Sequence, residues 1–125
     1  MFLKISREDT YVPRWRGNDK LKEDEQIKIA FHYMTADQEE RYTKFKPIYR
    51  GTAIDKLQEV EMSIETHAND IWDGCVTKVT GLFDDETKKE ITNPVEVRKI
   101  PGIYGLITEV VAFIKRGIEE IDEKN

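Results

Sequence analysis

The spacing of apolar and polar positions changes character several times along the chain, and each change predicts an element. Ile27, Ile29, Phe31 and Tyr33 alternate with Lys28, Ala30, His32 and Met34, a period of two that marks a strand with one face on a core. Thr35 follows, with Gln38 three residues on, the spacing of a capping box. It predicts a helix from Ala36 to about Lys46, carrying Tyr42 and Phe45 on one side and stopped by Pro47. Leu57, Val60, Ile64, Ala68, Ile71 and Cys75 then recur at intervals of three and four. That stripe predicts a second helix from about Ala53, a rod of roughly 30–35 Å. Trp72 falls beside the stripe and is assigned to the core.

The end of this helix has two readings. Val79 and Leu82 would continue the stripe, whereas the β-branched run Val76, Thr77, Val79, Thr80 favours a strand. A helix to about Gly74 followed by a hairpin is preferred, with a polar loop from Asp84 to Lys89 and Ile91-Thr92 returning. Nearer the N-terminus, Phe2 to Ile5 and Thr10 to Trp15 have strand-like composition, and Pro13 restricts the second to an edge or an irregular path. Gly17-Asn18 is a turn signal ahead of the polar run Asp19 to Gln26.

Asn93-Pro94 and Pro101-Gly102 punctuate the approach to the last element, with Pro101 suited to a first helical turn. Ile103, Leu106, Ile107, Val110, Val111, Ile114, Ile118 and Ile121 then follow a helical pattern, flanked by Tyr104 and Phe113. The apolar arc covers roughly 180° of the wheel, against about 100° for a helix resting on one core. The polar tail Glu119 to Asn125 closes the chain. The fold class expected is α+β: a mainly helical single domain over residues 1–125. It comprises a small N-terminal antiparallel β element, a long central helix, a hairpin and an amphipathic C-terminal helix.

Composition narrows the function classes. Charged residues make up 36% of the chain and hydrophobic residues 38%, with a formal charge of −5, so a compact core lies beneath a surface of mixed sign. The excess of acid and the lack of a basic stripe argue against nucleic-acid binding; Arg14 to Arg16 is too short a basic stretch to follow phosphates. No apolar run approaches the ~20 residues needed to span a bilayer. The opening MFLKISRED lacks a signal-peptide core. One cysteine precludes an internal disulfide. A cytoplasmic protein without membrane contact is expected.

Catalytic constellations are not apparent. His32 lies on the outer side of its strand and His67 at the edge of a helical stripe, near Glu61, Glu65 and Asp70, and two histidines cannot build a multi-histidine metal site. Cys75 is eight residues from His67, roughly 12 Å along a helix, too far for direct activation; burial as a small hydrophobe is the better reading. The acid pairs Asp24-Glu25, Glu39-Glu40, Asp84-Asp85-Glu86 and Glu119-Glu120 sit in polar runs. None has the apolar pocket that raises a catalytic carboxyl, nor the order of a calcium loop. No enzyme activity, cofactor or metal is expected. Trp15, between two arginines, either stacks on a partner or covers the open end of the core.

Three stretches carry a resemblance: RWRGNDKLKEDEQIKIAFHYMTADQEERY, a strand leading into a short acid-rich helix; VTGLFDDETKKEITNP; and the closing helix GIYGLITEVVAFIKRGIEEIDEKN. In pattern and layout the chain resembles the phage tail assembly chaperones of long-tailed phages. That resemblance implies a non-enzymatic protein of the host bacterial cytoplasm. It would bind the tape-measure protein until tail-tube proteins polymerise around it, with homo-oligomers a further possibility. The candidate protein-binding residues are Tyr104, Leu106, Ile107, Val110, Val111, Phe113, Ile114 and Trp15. A structural tail-completion or head–tail connector subunit, and a bacterial interaction adaptor, are the alternatives. Equally, the apolar face of the last helix could be consumed within the monomer, between the long helix and the N-terminal sheet.

Overall fold

The computed structural model describes the backbone of Met1, residues 8–43 and residues 67–124, and the side chains of these except residues 43 and 117–124. Strands β1 (Glu8–Tyr11), β2 (Lys28–His32) and β3 (Val76–Thr80) form an antiparallel sheet in the order β1-β2-β3. Helices α1 (Ala36–Thr43), α2 (described over residues 67–75), α3 (Pro94–Val97) and α4 (Tyr104–Lys124) complete an α+β architecture. The expected strand at Phe2 to Ile5 lies outside the described residues. So do the end of the first helix with Phe45 and Pro47, and the stretch of the long helix carrying Leu57, Val60 and Ile64.

The alternation read for β2 holds from Ile27 to His32: Ile27, Ile29 and Phe31 are buried, and Lys28, Ala30 and His32 are half-buried between them. Past the strand end at His32 it fails, Met34 being buried and Tyr33 half-buried. Val76 and Val79 of β3 are both buried although they stand three apart, which a regular strand would not permit. The register explains it. Ala30 pairs with Lys78 but Phe31 pairs with Val76, so one extra residue, Thr77, is inserted into β3. This bulge turns Val76 back to the core, and the Thr77 hydroxyl donates to the Ala30 carbonyl at 3.1 Å.

α1 begins with the expected capping box: Gln38 N–H donates to Thr35 Oγ1 at 3.2 Å, and Thr35 N–H to Gln38 Oε1 at 3.1 Å. The same Gln38 donates through Nε2 to the Gly74 carbonyl at 3.0 Å, satisfying an end carbonyl of α2 and tying the two helices together. α2 passes directly into β3, and the chain returns as a hairpin. Asp84 N–H donates to Lys89 O, Ile91 N–H to Leu82 O and Val79 N–H to Thr92 O. The Asp84 carboxylate accepts from Glu86 N–H at 2.8 Å, so this acid builds the turn.

Pro101 does not open α4. It forms a turn with Gly102, at φ +79°, and the helix starts at Tyr104. Proline at a helix start belongs instead to Pro94 in α3, where Asn93 is the N-cap and accepts from Val95 N–H at 2.9 Å. α3 is fastened to α2 twice: Trp72 Nε1 donates to the Pro94 carbonyl at 2.8 Å, and Arg98 pairs with Asp73 at 2.7 Å. Trp72, Ile71 and Cys75 from α2 meet Leu106, Ile107 and Ile114 from α4 in one core against the inner face of the sheet.

Candidate protein-interaction surface along α4

The wide apolar arc of α4 is taken up inside the molecule at most of its candidate positions. Leu106, Ile107, Val110, Val111 and Ile114 are all buried, Leu106 completely (0% exposed). They are core residues in the described structure, and a partner surface cannot be drawn through them without opening it. The side chains of Ile118 and Ile121 lie outside those described. The arc exceeds what a single contact needs because its flank is covered too: residues 11–16 run along one side of α4. Tyr11 stacks on Phe113 (centroids 4.1 Å apart), Phe113 meets Phe31 edge-on at 5.8 Å, and Trp15 lies against Gly105.

A Cβ on Gly105 would stand 3.1 Å from Trp15 Nε1, so the indole rests almost directly on the helix backbone. Trp15 is half-buried against the core, as an aromatic closing its open end would be. The next residue, Arg16, has φ 51° and ψ 34°, a left-handed conformation that costs a non-glycine residue about 1–2 kcal/mol. This backbone places its guanidinium 4.4 Å from the centre of the Trp15 ring. Trp15 and Arg16 thus meet Gly105 and Gly102, the two glycines on either side of Tyr104 in sequence. Tyr104 itself is 44% exposed. Of the candidate residues, the structure leaves Tyr104 exposed and Trp15 and Phe113 half-covered.

Further along the same stripe is a cleft of about 450 Å³. Tyr11 and Phe113 supply aromatic lining, Val12 and Ala112 aliphatic lining, and Arg14, Glu109 and Arg116 its charge. Glu109 Oε2 accepts from the Tyr11 hydroxyl at 2.7 Å and from Arg14 N–H at 2.6 Å. Burial, then the hydrogen bond to Glu109 and its charge, push the Tyr11 phenol up to about 12; Arg14 and Arg116 oppose this more weakly. The local signal for these charges is spacing: Gly105, Glu109 and Arg116 recur at four and seven residues and so share a helix face.

The remaining chemical candidates are placed as follows. Cys75 is fully buried, and burial raises its thiol to about 11, which keeps it protonated at neutral pH. His67 lies edge-on to Tyr42 at 6.1 Å, and its pKa is lowered by burial and by Lys115, with Asp70 opposing. His32 is half-buried, with Nδ1 2.9 Å from the Tyr33 carbonyl. Among the described residues no group of three or more His, Cys, Asp or Glu is placed to hold a metal ion. No helix among them is long and apolar enough to cross a membrane. Comparison with protein-family models, with curated proteins and with solved structures finds no match.

Proposed function

We propose that this protein acts without catalysis, as a protein-binding module, and that it serves in the host bacterial cytoplasm as a tail assembly chaperone of a long-tailed phage. The observation that carries the binding reading is the Arg16–Trp15 stack set against Gly102 and Gly105, between which the exposed Tyr104 stands in sequence. Tryptophan, arginine and tyrosine are the residues in which interface energy concentrates, and here one of them is held over another by a strained backbone. Strain of that kind clusters at binding sites; unlike Lys88, whose φ of 60° lies in the hairpin loop, Arg16 uses it to reach an aromatic ring. Support for the client comes from the resemblance of the three stretches quoted above. The client is then the tape-measure protein, kept soluble until tail-tube subunits assemble around it, and the chaperone acts as a homo-oligomer.

Co-expression of the full chain with a tape-measure protein tests this reading. Solubility of the tape-measure protein should rise with the wild type and return to baseline with a Trp15→Ala, Tyr104→Ala double variant. No rise with the wild type overturns the reading. Finding the protein in purified mature particles overturns the chaperone role in favour of a structural tail subunit.

A further inference from the structure

The cleft is lined by two arginines and one carboxylate, Arg14 and Arg116 with Glu109, and both arginine charges act on the Tyr11 phenol, a net positive lining on a chain whose formal charge is −5. Glu109 is already engaged by the Tyr11 hydroxyl and the Arg14 backbone N–H. Among the described residues, neither guanidinium forms an ion pair. Arginines facing a concave site with stacked aromatic lining are suited to an oxyanion borne on an apolar body. One net positive charge balances one carboxylate. A phosphate, at nearly two negative charges, would leave about one negative charge unbalanced.

From this geometry we infer that the cleft of Tyr11, Arg14, Glu109, Phe113 and Arg116 is the docking site for a carboxylate side chain, flanked by apolar residues, on the bound client. The inference rests on the reading of the protein as a binding module and supplies the chemistry of the client segment. The two guanidiniums clamp the carboxylate, the Tyr11–Phe113 pair takes the neighbouring apolar side chain, and Glu109, by cancelling one of the two cationic charges, disfavours more highly charged anions.

The test is an ¹⁵N NMR titration of the full chain with a blocked leucine–glutamate–phenylalanine tripeptide and its glutamine and phosphoserine counterparts. The glutamate peptide should shift amides of residues 11–14 and 109–116. The glutamine peptide should bind about tenfold more weakly, as should the glutamate peptide to Arg14→Gln or Arg116→Gln. Glu109→Gln keeps an acceptor for Tyr11 and should improve binding of the phosphoserine peptide. Equal binding of glutamate and glutamine peptides, shifts elsewhere, or wild-type preference for phosphoserine overturns the inference. Self-association abolished by Arg14→Gln overturns it in favour of a second copy of the chain as occupant. Co-expression separates the two levels. If Arg14→Gln, Arg116→Gln solubilises a tape-measure protein as well as the wild type, the cleft assignment fails and the function stands. If the wild type fails there but binds the glutamate peptide, the client assignment fails and the cleft stands.

Discussion

Asn18 offers a sharp test of the packing argument, because a polar residue in a turn between polar neighbours is here 3% exposed. Its carboxamide staples the entry segment to the start of β2. Nδ2 donates to the Pro13 carbonyl at 2.9 Å and to the Ile27 carbonyl at 3.0 Å, while Oδ1 accepts from Ile27 N–H at 2.6 Å. Asn18→Ala strands one buried donor and two buried acceptors. An orphaned buried group costs about 1–3 kcal/mol, with carbonyls nearer the low end, so the variant should lose about 3 kcal/mol. That is a large fraction of a typical stability of about 5–15 kcal/mol and corresponds to a fall in Tm of about 10 °C. Urea unfolding followed by tryptophan fluorescence and circular dichroism measures it, and the denaturant slope should be unchanged. Asp19→Ala, next door and exposed, should stay within about 0.5 kcal/mol of wild type. Asn18→Asp keeps the acceptor but loses both donors, and should be less destabilising in acid, where the protonated carboxyl regains one. A loss below about 1 kcal/mol for Asn18→Ala at unchanged slope would refute the staple.

Other outcomes follow from the same structure. Leu106→Ala should cost about 2–5 kcal/mol, as large-to-small changes in a closed core do, whereas Tyr104→Ala should change stability by less than about 0.5 kcal/mol; equal losses in urea titrations would contradict the placement of the two residues. The Tyr11 phenol has its pKa raised from 10.0 to about 12 in the folded chain, so its contribution to stability is complete below pH 10 and is lost as pH rises towards 12. Tyr11→Phe should flatten the stability loss across that window, read from unfolding curves at stepped pH. Cys75, buried and with its thiol raised to about 11, should react with a disulfide reagent only as fast as the chain opens. A native rate matching that of the urea-unfolded chain would argue against its burial. Gly81 has φ +81°, and a Cβ there would collide with the Gln26 carbonyl oxygen. Gly81→Ala should therefore destabilise the hairpin and lower Tm, and an unchanged Tm would sink that reading.

Short-range features were legible in the sequence for a common reason: each is decided by residues within a few positions of one another. The Thr35–Gln38 box, the alternation through Ile27, Ile29 and Phe31, the change from helix to hairpin after Gly74 and the amphipathic stripe of α4 all depend on local spacing. What only the tertiary structure decided depends on partners far along the chain. Thr77 is a bulge because Val76 and Val79 must both reach a core that Phe31 also enters. Asn18 is buried because Pro13 and Ile27 offer it three partners, and no local pattern separates such an asparagine from an exposed turn residue. Pro101 stands just ahead of the apolar stripe of α4, yet the N-cap that a first-turn proline needs is Asn93, before Pro94. The candidate surface shows the same division. That α4 is amphipathic, and that Trp15 and Tyr104 are notable, follow from the sequence alone. That residues 11–16 lie along α4, covering its flank and bringing Arg14 and Arg116 to one cleft, required the folded chain. The width of an apolar arc records how much of a helix is covered, and only the neighbours in space determine by what.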